Sequence, residues 1–115
     1  MRLKITAMVT GLMLLTSAAI ALPPMLKVFE TNYKPVKNGK LVKARCAVCH
    51  TAMGKTALNA YGKDLKAQIG ETKTVTADNL KAIEAKDSDG DGVSNIDEIK
   101  ADSLPGDAKS KPAPK

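Results

Sequence analysis

Aromatic side chains are scarce in this chain of 115 residues: no Trp, one Phe and two Tyr, 3% in all. Proteins that read single-stranded nucleic acid stack bases on aromatic rings set among basic residues, so the scarcity argues against that class despite a net charge of +6. Cysteine is limited to Cys46 and Cys49, and histidine to His50. Two cysteines cannot build a disulfide-dense scaffold or a four-thiolate zinc cage. A lone His removes any His-rich metal centre within one chain. The length suits one small domain, and 43% hydrophobic with 26% charged residues excludes a disordered acidic chain, a collagen-like chain and a multi-span membrane protein. Any chemistry must rest on very few residues or on a cofactor.

Long apolar runs are also missing, except at the start. Residues 1–21 have the layout of an export signal, with Arg2 and Lys4, an apolar run from Ile5 to Leu15, and Ala19-Ile20-Ala21 as a small-residue cleavage site. The expectation is a periplasmic or secreted protein with no stable membrane span after cleavage. The alternative is an uncleaved anchor, because Ile5 to Leu22 is nearly long enough to span. The remaining charge is polarised: residues 22–86 carry 12 Lys and Arg against 5 Asp and Glu, whereas residues 87–107 carry 7 Asp and Glu against one Lys.

Periodicity predicts an all-α fold of four to five short helices and no strand. Leu26, Phe29 and Tyr33 share one face after Pro23-Pro24; Leu41, Ala44 and Val48 continue a helix from Lys40 into the cysteines. Leu58, Tyr61, Leu65 and Ile69 form a third stripe ended by Gly70. Thr76 is a candidate cap for a helix burying Leu80 and Ile83, and Ser94 for one turning Ile96 and Ile99 inward. The chain thus divides into a leader (1–21), a helical core (22–75), a helix pair packed on the same domain (76–107) and a basic Pro/Ala tail expected to be disordered (108–115). About fifteen apolar side chains are few to order such a domain; a filler or a staple is needed.

Cys46-Ala47-Val48-Cys49-His50 is C-x-x-C-H, the attachment signature of c-type haem. Cysteines three apart on a helix share a face, so two sulfurs can reach the two vinyl groups on one porphyrin edge, and the adjoining His50 can bind the iron. A thioredoxin-like dithiol should sit in a βαβ pattern, which is missing. Zinc would need a fourth ligand, and no acidic residue clusters with the motif. The chain here resembles small exported monohaem cytochromes c, through residues 46–50 and the helix before them. That resemblance implies a haem-centred, cytochrome c-like all-α domain serving single-electron transfer, with residues 22–75 as the haem-binding core and no enzymatic reaction. In such cytochromes a proline-containing loop supplies a carbonyl that orients the axial His. Here no proline lies between His50 and Pro105. By position, Leu58 and Tyr61 are expected against the ring.

The sixth iron ligand is open. No second His exists, and no Met follows Met53. Met25 has enough chain before Cys46 to reach the far face and is the favoured distal ligand. Met53 is too near His50 to be favoured. Water, a lysine or another chain's residue are the remaining options. An open site would bind a small gas or peroxide.

Asp87-Ser88-Asp89-Gly90-Asp91-Gly92-Val93-Ser94-Asn95-Ile96-Asp97-Glu98 fits the twelve-residue calcium pattern D-x-D-x-D-G-x5-E. Asp87, Asp89 and Asp91 supply carboxylates, Gly92 the turn, Val93 its carbonyl, Asn95 a direct or water-mediated contact, and Glu98 a bidentate closure. The run resembles an EF-hand and, equally, the calcium repeats of thrombospondin type 3 and dockerin modules. It reads as a helix–calcium loop–helix that staples the C-terminal third. Lys34, Lys37, Lys40, Lys43 and Arg45 crowd the approach to the cysteines, a surface suited to redox partner proteins with an acidic docking face. An accessory haem subunit of a larger redox complex is the third functional expectation.

Overall fold

The computed structural model describes residues 23–112; the expected leader lies outside the described residues. α1 (Pro24–Tyr33) starts on a proline, whose missing N–H is no loss in a first turn. It ends at Lys34, held at φ 47° with its N–H returned to the Glu30 carbonyl, and Pro35 cannot continue it. α2 (Lys40–Ala44) follows a turn through Asn38 and Gly39. α3 (Ala60–Ile69) is capped by Asn59 and stopped by Gly70. α4 (Ala77–Ala82) starts in a reciprocal capping box between Thr76 and Asn79. α5 (Asn95–Lys100) is capped by the Ser94 hydroxyl, which accepts the Asp97 N–H. The described residues form no strand; an isolated antiparallel bridge joins His50 to Leu58.

The helix expected to run from Lys40 into the cysteines does not do so. It stops after five residues, the chain swings at Arg45 (φ 50°, ψ −114°), and Arg45–Val48 continues as a 3₁₀ turn. With three residues per turn, positions i and i+3 lie one above the other. Cys46 and Cys49 are such a pair.

α4 packs against both α1 and α3. Phe29, Leu41, Val48, Tyr61, Leu65, Val75, Leu80, Ile83 and Ile99 form one buried cluster. All three aromatic rings meet there edge-on: Phe29 lies 5.1 Å from Tyr33 and 6.3 Å from Tyr61. The Tyr33 hydroxyl donates to Glu84 Oε1 at 3.0 Å, fastening α1 beside the end of α4. On α5 the expected inward pair is half right. Ile99 is buried, but Ile96 is only half-buried, and the fully buried neighbours are Asn95 and Glu98. The first residues of the basic tail are tied back, Ser110 Oγ accepting the Leu104 N–H and Lys111 Nζ reaching the Asp91 carbonyl. No helix among the described residues is long and apolar enough to cross a membrane.

Candidate functional site

A cavity of about 770 Å³ opens between α1, the 3₁₀ turn and α3, within the ~300–1,000 Å³ range of small-molecule and cofactor sites. Cys46, Cys49 and His50 all line it. The α3 wall is Gly62, Leu65, Lys66 and Ile69, one helical face at spacings of three and four. Met25, Leu26 and Phe29 of α1 line the same space, and Met25 is 45% exposed. Met53 is not among the lining residues and stands exposed. Of the two residues expected against a ring, Leu58 lines the cavity and Tyr61 does not. Because Asn59 caps α3, the helical face toward the cavity falls on Gly62 and Leu65. Tyr61 lies about 100° round the helix from Gly62, where it packs on Phe29.

Both cysteines are free and half-buried. Burial, then the neighbouring Cys46, pushes the Cys49 thiol up to about 11, opposite to the lowered thiol of a redox dithiol. Among the described residues Cys46, Cys49 and His50 do not form a cluster close enough to share one ion, so a zinc half-site gains no support. His50 Nδ1 lies 3.3 Å from the Thr56 carbonyl oxygen. With its proton on Nδ1, His50 donates to that carbonyl and leaves the Nε2 lone pair free. The Thr56 carbonyl is held in place because Thr51–Ala57 returns on itself, the Thr51 N–H donating to the Ala57 carbonyl at 2.9 Å.

Asn59 organises this motif, and sequence reasoning did not single it out. Its backbone N–H donates to the Cys49 carbonyl at 2.9 Å. Its side-chain Nδ2 faces the carbonyls of Ala47, Val48 and His50 at 3.2, 3.0 and 3.2 Å, while Oδ1 accepts the Gly62 N–H at 2.9 Å. One amide thus caps α3 and gathers three otherwise unpaired carbonyls of the cysteine turn. The signal present in the sequence was an Asn at the start of a helical stripe, which reads only as a cap. Gly62 allows the close approach, since a Cβ there would land on the Cys49 carbonyl.

The second candidate site is the acidic loop. Asp87, Asp89 and Asp91 bring ligand oxygens within 4.8 Å of one another. The loop is shaped by its own amides: Asp91 N–H and Gly92 N–H donate to Asp87 at 3.1 and 2.8 Å, and Val93 N–H to Asp91 Oδ1 at 2.9 Å. Gly90 and Gly92 take φ of 73° and 91°, the left-handed region glycine enters freely. The Gly92 N–H, with that of Asp91, holds the Asp87 carboxyl below its usual range. Glu98 is fully buried, and both its carboxylate oxygens lack a hydrogen-bond partner, as do Asp89 Oδ2 and Asp91 Oδ2. Burial, then the charges of Asp89 and Asp91, pushes Glu98 up to about 8. Burial likewise raises Asp89 to about 6 with help from Asp91 and Asp87, against the pull of the Asp91 N–H. Four orphaned carboxylate oxygens in one loop fit a hard cation with oxygen ligands.

Asn95, read from the sequence as a direct or water-mediated ligand, has polar partners of its own within the fold. Its amide donates to the Ile83 carbonyl and Ser88 Oγ, both at 2.8 Å, and its Oδ1 accepts the Ser88 N–H at 3.2 Å. Both ends of the side chain are engaged in closing the loop, so Asn95 is a brace beneath the acidic cluster. Val93, expected to offer its carbonyl, is half-buried directly after the Gly92 turn.

No family model matches the chain, and searches of curated proteins and of solved structures find no match to it.

Proposed function

We propose that this chain is an exported monohaem c-type cytochrome, a single-electron carrier whose C-terminal third is stapled by calcium. The observation that carries the reading is the cavity of about 770 Å³ lined together by Cys46, Cys49 and His50, with His50 Nδ1 directed to the Thr56 carbonyl. Cys46 and Cys49 would hold the porphyrin edge through thioethers, and His50 Nε2 would ligate the iron. The bound haem would supply a one-electron couple. The chain's own part is to orient His50 through Thr56, to fix the cysteine turn through Asn59 and to keep water from the ring with Leu26, Phe29, Leu58 and Leu65. Met25, half-exposed at the same cavity, is the distal ligand in this reading. A cytochrome c-like arrangement of the helices belongs to the same proposal, as does docking of an acidic redox partner on the lysine-rich approach.

In the calcium part of the reading, Asp87, Asp89, Asp91 and Glu98 hold the ion, supported by the orphaned carboxylate oxygens of Asp89, Asp91 and Glu98.

The test is expression with an export signal in a host that matures c-type cytochromes. Haem absorbance that stays with the chain after denaturation and acid–acetone extraction is expected, with loss of one thioether in each of Cys46→Ala and Cys49→Ala. Haem that extracts freely, or none, refutes the reading.

A further inference from the structure

The acidic loop and the cysteine turn are far apart in sequence, yet the chain after the loop is fastened to both elements that carry the turn. α2 leads into Cys46 and begins after Gly39, which has no side chain to cap it. Asp102 supplies the cap from the other end of the chain: its carboxylate accepts the Lys40 N–H at 2.7 Å and the Leu41 N–H at 3.1 Å. Gly39 makes room for it, because a Cβ there would meet the Asp102 carboxylate at 2.5–2.8 Å. Asp102 stands at φ 56°. It is set by the end of α5, its N–H donating to the Ile99 carbonyl at 3.1 Å while the Ser103 N–H donates to the Glu98 carbonyl at 2.8 Å.

Two further contacts point the same way. A Cβ on Gly106 would collide with the Asn59 side chain, so the segment after α5 closes over the amide that gathers the Ala47, Val48 and His50 carbonyls. At the loop's entrance, Ser88 Oγ donates to Asp64 Oδ2 of α3 at 2.7 Å, and Lys86 pairs with the same carboxylate at 3.4 Å. The position of α5 therefore bears on α2, on Asn59 and on α3.

We propose that cation binding in the Asp87–Glu98 loop regulates the haem site: a divalent cation that draws Glu98 onto Asp89 and Asp91 fixes α5, and α5 then latches the cysteine turn through Asp102 and Gly106. This rests on the haem and calcium readings above and adds to them a coupling between the two sites. Without the cation, Glu98 lies buried on α5 with neither oxygen partnered, beside the unpartnered oxygens of Asp89 and Asp91, which opposes docking of the helix. With it, the cap on α2 and the cover on Asn59 are held. Coupling of this kind is reciprocal, so the ordered haem site also tightens cation binding.

Hydrogen–deuterium exchange on the haem-loaded full chain, in calcium, in magnesium and in excess chelator, tests it. Calcium should slow exchange about fivefold or more in two separated segments, residues 87–98 and residues 40–50. Asp102→Ala should keep the first protection and lose the second. Asp102→Asn, which retains one acceptor for α2, should lie between them and serves if the alanine variant does not fold. As a second readout, calcium should slow displacement of the distal iron ligand by imidazole in the wild type and not in Asp102→Ala. Calcium protection confined to residues 87–112, or equal protection of residues 40–50 in wild type and Asp102→Ala, overturns the coupling and leaves the calcium site standing. No calcium protection in any segment overturns both, while the haem absorbance separately reports the haem reading.

Discussion

Replacing Glu98 by Gln should change the stability of the protein in opposite directions with and without calcium. The Glu98 side chain is fully buried and neither oxygen has a partner. A buried polar group left unsatisfied costs about 1–3 kcal/mol, more when charged. Gln fills nearly the same volume without the charge, and its amide N–H groups can donate to the unpartnered oxygens of Asp89 and Asp91. In excess chelator the variant should therefore be more stable than the wild type by about 1–2 kcal/mol. For a domain of this size each kcal/mol moves the midpoint by about 4–8 °C. In calcium the sign reverses: at about 100 times its Kd, calcium stabilises by about 2.7 kcal/mol, and a neutral amide in place of a bidentate carboxylate forfeits most of that. Circular-dichroism melts of the haem-loaded proteins in chelator and in saturating calcium give both numbers. If Glu98→Gln lowers the midpoint by the same amount in both buffers, Glu98 is a structural side chain and the calcium assignment is wrong.

Three other outcomes follow from the same geometry. Met25→Ala should open the sixth iron position, so that the reduced variant takes up CO rapidly at neutral pH while the wild type does not; rapid uptake by both would remove Met25 as ligand. Asn59→Ala should lower stability by about 2–4 kcal/mol in urea, from loss of the α3 cap and of the donor to three carbonyls. Asn59→Asp keeps the acceptor for Gly62 and should recover the cap alone; full recovery would show that the carbonyl contacts contribute nothing. In chelator, stability should fall as pH rises from about 5 to about 8. Glu98 and Asp89 have folded values raised to about 8 and about 6, so the folded state holds protons that the unfolded chain has released. That contribution is complete below the unfolded carboxylate values and is lost as pH passes the folded ones. In calcium the ionised carboxylates are the ligands, and the slope should vanish or invert; urea midpoints across pH in both buffers are the check.

Much of this molecule could be read from local chemistry. Pro24, Thr76, Ser94 and Gly70 mark helix starts and stops because capping and φ restriction act within one turn of the chain. The stripe from Leu26 to Phe29, and the pairs Leu80 with Ile83 and Cys46 with Cys49, follow from helical periodicity in the same way. The acidic cluster was legible because Asp87, Asp89 and Asp91 and their glycines fall in one short run of sequence. What folding alone settled needs residues brought together from beyond a single turn of the chain. Tyr61 faces Phe29 and not the cavity because Asn59 sets the phase of α3. The Thr56 carbonyl meets His50 Nδ1 because its loop closes back on the histidine. Asn95 braces the loop because Ile83 and Ser88 come within reach of its amide. Asp102 reads in sequence as one more acid near a helix end; only when α5 docks does its carboxylate meet the first amides of α2. Caps and periodicity are properties of a few neighbouring residues. A carboxylate that must cross the domain to find its donors is a property of the packing that brings them together.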